Sequence, residues 1–384
     1  MLIGVDASRI AKEEKTGTEN YSWNLIHALA RVDKENRYAL YFNKIPTKFE
    51  ISQSNFSTKV ISSPRFWTQG RLALECLIHP PDILFVPAHT IPVLRRPSLK
   101  TVVTVHDLGA EFLAEYYKWP QKIYLNWSTE YIAKHATHII AVSNHTKRDL
   151  MRTLKAPARQ ISVVYEGVDS KFFYPRPDWE IKQVKANYGV GRGYFLYVGT
   201  IQPRKNLVRL IEAFSKSGVE NTDLVLAGSS GWLDEEIYKL PEKLSISKYV
   251  RFLGYVSDED LPALYSGAVG LVFPSLYEGF GLPILEAFAC GCPVLTSKIG
   301  AMAEVAGDAA LLVDPYNKDE IAAGLKKLVS DRNFREDLIK KGSERVKEFS
   351  WEKVAKETIK VFEKVYSENA KCQSPNAKVQ MPNQ

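Results

Sequence analysis

Two doubly wound α/β units in series are what this 384-residue sequence predicts, and three observations predict them. Short β-branched runs alternate with amphipathic stretches along the chain, the pattern of strands and crossover helices in a parallel sheet. The alternation restarts after an interval rich in Pro and Gly. At roughly 150 residues per domain, the length leaves room for two hydrophobic cores.

The chain opens on the strand-like run Leu2-Ile3-Gly4-Val5. No basic n-region, apolar h-region or small-residue cleavage site accompanies it, so a cytoplasmic chain is expected. A helical stretch from Tyr21 to Ala30 follows, then strand-like runs at Tyr38 to Phe42, Ile83 to Val86, Thr101 to Val105, His138 to Val142 and Ile161 to Val164. These make a first domain over residues 1–175. Between Glu166 and Arg192, Pro175 and Pro177 interrupt the periodicity and Gly189, Gly191 and Gly193 loosen the chain, which places a hinge there. The second domain, residues 176–350, repeats the scheme. Its runs are Tyr194 to Val198, Leu224 to Ala227, Val250 to Leu253, Val269 to Phe273, Val294 to Thr296 and Ala310 to Val313. From Trp351, residues Val354, Ala355, Thr358, Phe362, Val365 and Tyr366 recur at the spacing of one helical face, giving a terminal helix over 351–371. The polar end, 372–384, with Pro375 and Pro382, reads as a disordered tail.

Composition narrows the function classes. With 45% hydrophobic and 25% charged residues the chain is ordinary globular protein, and no segment approaches the roughly 18 consecutive apolar residues of a membrane span. Cys76, Cys290, Cys292 and Cys372 are too few for a disulfide scaffold, and the Cys-x-Cys pair lacks the His or further Cys of a zinc site. They read as reduced, packed thiols. The net charge of +7 lies entirely in the first half: residues 1–175 carry 23 basic against 16 acidic side chains, and the remainder carries 28 of each. That half suits an acidic partner such as anionic lipid, a lipid-linked phosphate or an acidic polysaccharide, or else is simply a solubilising surface. Arg65-Phe66-Trp67 with Arg71 to Ile78 fits either a basic, aromatic membrane-facing patch or a buried helix.

Three constellations carry chemistry. The first is Tyr277-Glu278-Gly279-Phe280-Gly281-Leu282-Pro283-Ile284-Leu285-Glu286, directly after the apolar run ending at Phe273. Pro283 suits the first turn of a helix, so Gly279, Phe280, Gly281 and Leu282 form a connection whose N–H groups point out of a helix N-terminus, with a carboxylate on either side. A nucleotide-sugar has that mixed demand: its diphosphate wants N–H donors and the helix dipole, its hydroxyls want carboxylate acceptors. Singly, Glu286 is a helix-stabilising acid in a first turn and the glycines an ordinary turn; together they read as a site. The second constellation, Gly199-Thr200-Ile201-Gln202-Pro203-Arg204-Lys205-Asn206, precedes the helical stretch Leu207 to Phe214, with Asn206 as its N-cap. Two cations beside a helix N-terminus oppose the dipole by roughly 0.3–1 kcal/mol each unless an anion binds there, which makes Arg204 and Lys205 candidate phosphate ligands rather than solvated loop cations. The third is His106-Asp107, at the end of the run Thr101 to Val105, where open α/β sheets bind ligands. His106 is then a cleft residue or a satisfied structural one, and Asp107 a cleft residue or an N-cap. Near the start, Gly17 lets a ligand approach the backbone, and Thr18 and Glu19 lead into the first helix.

The sequence has no Gly-x-Gly-x-x-Gly after its first strand, no P-loop, no Gly-x-Ser-x-Gly and no His-Glu-x-x-His. No Asp-x-Asp lies in a phosphate-binding loop, so no metal is expected, and charge neutralisation falls to Arg204, Lys205 and helix dipoles.

These residues resemble glycosyltransferase family 4, the retaining enzymes of GT-B fold, over roughly residues 1 to 367. The resemblance implies two Rossmann-like domains facing a central cleft, the first binding the acceptor and the second the sugar-nucleotide donor, with the terminal helix crossing back onto the first. Glu278 and Glu286 match the family's Glu-x7-Glu element, in which the first lies by the donor sugar and the second binds the ribose. Arg204 and Lys205 fall on the basic pair that holds the diphosphate, behind Gly199. N–H groups of Phe280, Gly281 and Leu282 contact sugar and phosphate. Arg251 to Gly254, with Leu253, lie near the base. His106 matches the His-Asp-Leu after a strand of the acceptor domain, and Gly17 the glycine loop after the first strand, with Thr18 and Asp107 on the acceptor side. Two departures stand out. Gly199-Thr200-Ile201 replaces a common Gly-Arg-Leu, so Arg204 takes that arginine's place, and Gly17-Thr18 has one glycine where relatives have two. The Gln-Pro-Arg-Lys-Asn loop resembles bacterial mannosyltransferases of surface-polysaccharide assembly. The expectation is a hexosyl transfer, first from GDP-mannose and otherwise from a UDP-sugar, to a glycan or lipid-linked acceptor, with no bound cofactor and no nucleic acid. Competing readings are a GT-B epimerase or phosphorylase, the latter needing a pyridoxal lysine, and an inactive nucleotide-sugar-binding partner.

Overall fold

The computed structural model describes all residues except 12–16, 48, 64–65, 89, 114–118 and 373–384. Thr16, Arg65 and the tail with Pro375 and Pro382 lie outside the described residues.

Strands β1 (Leu2–Asp6), β2 (Arg37–Phe42), β3 (Phe56–Val60), β4 (Ile83–Val86), β5 (Lys100–Val105), β6 (His138–Ala141) and β7 (Ile161–Val163) form a parallel sheet of order β3-β2-β1-β4-β5-β6-β7. A second parallel sheet contains β8 (Gly193–Val198), β9 (Thr222–Ala227), β10 (Val250–Gly254), β11 (Gly270–Phe273), β12 (Val294–Ser297) and β13 (Leu311–Val313), in the order β10-β9-β8-β11-β12-β13. Parallel strands are covered by helices on both faces, so β4, β6, β9, β11 and β12 are buried along their whole length, and β4 and β11 read as unbroken apolar runs. The sequence reading missed β3. It is a largely exposed edge strand, held by its backbone ladder to β2 and by Phe56 stacked on Tyr38 at 4.3 Å, and an edge facing water has no need of an apolar run.

One correction concerns the first helix. It runs Gly17–Val32, so Gly17 and Thr18 are its first turn and not a loop ahead of it. That turn is polar, which hid it from a periodicity argument; Glu19 is buried there and paired with Arg9 at 3.2 Å.

The last helix, Trp351–Cys372, belongs in space to the first sheet. Trp351, Val354, Ala355, Val361, Phe362 and Val365 join Ile3, Val5, Tyr21 and Leu25 in one core, with Phe362 and Phe85 rings 5.2 Å apart. The chain thus crosses between the units twice, and the two crossings touch at a Val168–Ser350 bridge.

Candidate active site

The order of the second sheet reverses between β8 and β11, and ligands of open α/β sheets bind outside the carboxyl ends of the strands at such a switch point. The loops leaving those two strands, Gly199 to Lys205 and Pro274 to Gly281, are the two that the sequence singled out. They bring Arg204 and Lys205 onto Glu278. Lys205 Nζ donates to Glu278 Oε1 at 2.5 Å, and Arg204 Nη1 lies 3.5 Å from Glu278 Oε2 and donates to the Tyr277 carbonyl at 3.3 Å. Lys205 and Glu278 are each 8% exposed. Burial, and then the charge of Arg204, hold the Lys205 ammonium below its usual range against the pull of Glu278. The anion that offsets the two cations in this structure is therefore the protein's own carboxylate.

Asn206 does not cap the Leu207–Ser217 helix with its side chain. Its backbone is left-handed (φ 64°), and its amide donates instead to the carbonyls of Pro274 and Pro315 at 3.0 and 2.7 Å. It ties the loops behind the site together.

Gly281, at φ 110°, turns the chain into the Leu282–Ala289 helix, with Pro283 in the first turn. Glu286 lies beyond that first turn, which contains no acid, so it is no dipole-stabilising side chain. Tyr265 donates to its Oε2 at 2.7 Å. Burial pushes the Glu286 carboxyl up to about 7, against the Tyr265 hydrogen bond and with a smaller contribution from Asp258. Gly279 faces the other unit: a Cβ there would lie 1.5 Å from the His106 carbonyl oxygen. Only glycine lets the two units approach this closely.

The opposite wall belongs to the first unit. His106 Nδ1 is 3.0 Å from Glu166 Oε1, Nε2 is 2.9 Å from the Pro87 carbonyl, and Tyr21 packs against the ring edge-on at 4.7 Å. Both ring nitrogens face acceptors, which only an imidazolium satisfies as donor to each. Burial opposes that charge, but the Glu166 hydrogen bond and charge outweigh it and raise the His106 pKa. Asp107 accepts from the Gly109 N–H at 2.9 Å, as a turn cap does, and also stands 3.7 Å from Arg204 across the cleft. Further contacts tie the units: Tyr277 donates to Asp149 at 2.7 Å, and Glu304 accepts from the N–H groups of Asn144 and His145 at 2.7 and 2.9 Å.

Between the walls lies a cleft of about 810 Å³. Gly17, Thr18, His106 and Asp107 line it from the first unit; Gly199, Arg204, Lys205, Glu278, Gly279, Phe280, Gly281, Leu282 and Glu286 line it from the second. Leu253 does not reach it. Its side chain packs on the second core, and the wall starts past the end of β10 with Tyr255, Val256 and Asp258, as expected of a site beyond the strand ends. Sequence reasoning also missed Glu166, Tyr265 and Gln202. Gln202 lines the cleft at 3% exposure, and its Oε1 has no hydrogen-bond partner among the described residues. A Gln beside Arg204 and Lys205 was a visible signal; Glu166 and Tyr265 had none, since each bonds to a residue distant in sequence. Among the described residues no three His, Cys, Asp or Glu side chains are grouped to hold a metal, and no helix is long and apolar enough to cross a membrane.

The family model for glycosyl transferases group 1 matches residues 179–345, and that for glycosyltransferase family 4 matches residues 15–172. The chain is 37% identical over 267 residues to O-antigen chain mannosyltransferase B of Escherichia coli, covering 68% of this chain and 70% of that protein. It is 30% identical over 337 residues to O-antigen chain mannosyltransferase RfbU of Salmonella typhimurium, covering 84% and 90%. Its fold matches sucrose-phosphate synthase from Thermosynechococcus elongatus with a TM-score of 0.76 at 21% identity, over 96% of this chain and 99% of that one. With two parallel sheets of Rossmann type closing on a cleft, and with these relatives, the chain belongs to the family 4 glycosyltransferases of GT-B fold.

Proposed function

We propose that the cleft takes GDP-mannose and transfers its mannosyl group, with retention of anomeric configuration, to a hydroxyl of a glycan or lipid-linked acceptor in polysaccharide assembly. The observation that carries this reading is the cluster of Arg204, Lys205 and Glu278 at the switch point, facing the helix that bears Glu286. In it, residues 176–350 hold the donor and residues 1–175 the acceptor. Arg204 and Lys205 take the diphosphate as it leaves, with N–H groups of Phe280, Gly281 and Leu282; Glu286 accepts from the ribose; Glu278 faces the sugar. The names of the two mannosyltransferases support mannose. Asp258, on the cleft wall beyond β10, supports guanine, whose adjacent N1–H and N2–H donors match a carboxylate better than the single N3–H of uracil.

Within this reading, the carboxylates bear on how retention is achieved. Both oxygens of Glu278 face cations, so it makes a poor covalent nucleophile. The acceptor hydroxyl instead attacks the anomeric carbon on the face the diphosphate leaves. The bond from that carbon to the phosphate oxygen breaks, a glycosidic bond forms, and the hydroxyl proton passes to the departing diphosphate. His106, with both ring nitrogens engaged, serves as a fixed charged wall rather than a proton shuttle. No resident cofactor or metal enters this reading. The basic first half, with Phe66 and Ile78 exposed, supports docking on an anionic bilayer.

Thermal stabilisation by GDP-mannose, GDP, UDP-glucose and UDP tests the donor. A ligand binding only the folded state at about 100 Kd adds roughly 2.7 kcal/mol. A guanosine-specific shift, lost in Glu286→Ala, is expected; a uridine-specific one would replace GDP-mannose by a UDP-sugar, and no shift in a folded protein would overturn the donor site. Electrostatic stabilisation worth about 2.7–4 kcal/mol per donor group makes Arg204→Ala and Lys205→Ala each lose two to three orders of magnitude in turnover. Donor binding with no transfer to any acceptor would mark an inactive binding partner.

A further inference from the structure

We propose that Tyr265 is a positioning residue for the donor's ribose, holding Glu286 by one oxygen so that the other is presented to the ribose hydroxyls; this rests on the donor-site reading above. Tyr265 sits in the Leu261–Gly267 helix with no solvent exposure, and its hydroxyl donates to Glu286 Oε2 at 2.7 Å. It does not line the cleft, whereas Glu286 does, so Tyr265 acts only through the carboxylate.

A carboxylate on a helix has rotational freedom that a binding site has to remove, and a hydrogen bond from a rigid, fully packed ring removes it before the ligand arrives. The same bond bears on ionisation. Burial favours the neutral acid and pushes Glu286 up to about 7; Asp258 pushes in the same direction and the Tyr265 hydrogen bond opposes both. Ionised, Glu286 accepts from two ribose hydroxyls; protonated, it spends one oxygen as a donor. The titratable groups facing it are Tyr265 from the neighbouring helix, Asp258 from the loop before that helix, and the Cys290 thiol just past the end of its own helix. Tyr265 stays protonated, because burial and the adjacent Glu286 drive its pKa well above the usual phenol value.

The sign of the pH dependence follows. Ribose binding needs the carboxylate, so donor affinity rises as the pH passes through about 7 and levels off once the group is fully ionised. Removing the phenol hydroxyl removes a contribution that lowers the Glu286 pKa, so the midpoint moves up.

The experiment measures KM and kcat of the full chain from pH 5.5 to pH 9, with GDP-mannose and UDP-glucose as probes, for wild type, Tyr265→Phe and Glu286→Gln. Tyr265→Phe keeps the packed ring. Its donor KM should rise about tenfold at pH 7 with kcat within about twofold. The midpoint of its KM profile should move upward, and part of the deficit should return at pH 9. An unmoved midpoint with unchanged KM, or equal losses at every pH in kcat and KM, would overturn the proposal. Glu286→Gln separates the two readings. If it flattens the pH profile and raises KM while Tyr265→Phe does nothing, the positioning role alone fails; if it leaves donor KM unchanged, the ribose assignment fails first.

Discussion

Glu278 and Lys205 are 10% exposed at their side chains and in direct contact, with Arg204 behind them. Breaking one member of such a pair strands a buried charge, whereas removing both does not. Glu278→Ala should therefore cost about 3–5 kcal/mol of folding stability, read by urea denaturation, because two cations are left facing each other. A Lys205→Met, Glu278→Leu double variant should recover most of that stability while remaining without transferase activity. Recovery of stability alone separates the fold's use of this pair from the reaction's. The motif residues were legible in the sequence because their chemistry is local: Arg204 is adjacent to Lys205, and Glu278 adjoins the glycines. Glu166 and Tyr265 were not, since their partners His106 and Glu286 lie 60 and 21 residues away. No local pattern announces a hydrogen bond of that span.

At the scale of elements, the turn between β11 and the Leu282–Ala289 helix does two things at once. It aims a helix N-terminus at the cleft, and through Gly279 it touches the first unit at the His106 carbonyl. Gly279→Ala would put a methyl group 1.5 Å from that oxygen, so the turn or the neighbouring unit has to move. Transfer should fall by at least two orders of magnitude, because a displacement of about 1 Å in a reacting assembly costs that much. On the proposed reading, in which the second unit holds the nucleotide, nucleotide binding should be largely kept. Small-angle scattering on the variant should show a larger radius of gyration, and an unchanged radius with normal turnover would contradict the role given to this glycine. Glycine spacing marked this as a turn, but only the packed structure reveals what a Cβ at Gly279 would strike.

On the scale of the whole molecule, the two units are joined by more than the two chain crossings. Tyr277 with Asp149 and Glu304 with the Asn144–Thr153 helix link the units, and Arg204 meets Asp107 across the cleft. The terminal helix completes the first core from the far end of the chain. Phe362 is fully buried against Phe85, so Phe362→Ala should destabilise by about 3–5 kcal/mol. The loss should fall on the first unit: hydrogen exchange should quicken in β1 and β4, whose core it fills, and stay slow in β8 and β11. Uniform quickening would mean that the two units unfold together.

What the sequence by itself determined is the alternation of strands and helices, the restart of that alternation, and the local motifs of the second unit. These are properties of neighbours along the chain, where side-chain period and turn chemistry act directly. What only the tertiary structure decided is which groups meet. It placed Glu278 on Lys205, engaged both nitrogens of His106, withdrew Leu253 into a core, turned Asn206 from capping to tying loops, and lengthened the first helix back to Gly17. Each of these depends on strand order and domain contact. Strand order is set by burying both faces of two sheets at once, a condition on the whole chain that no segment of it expresses.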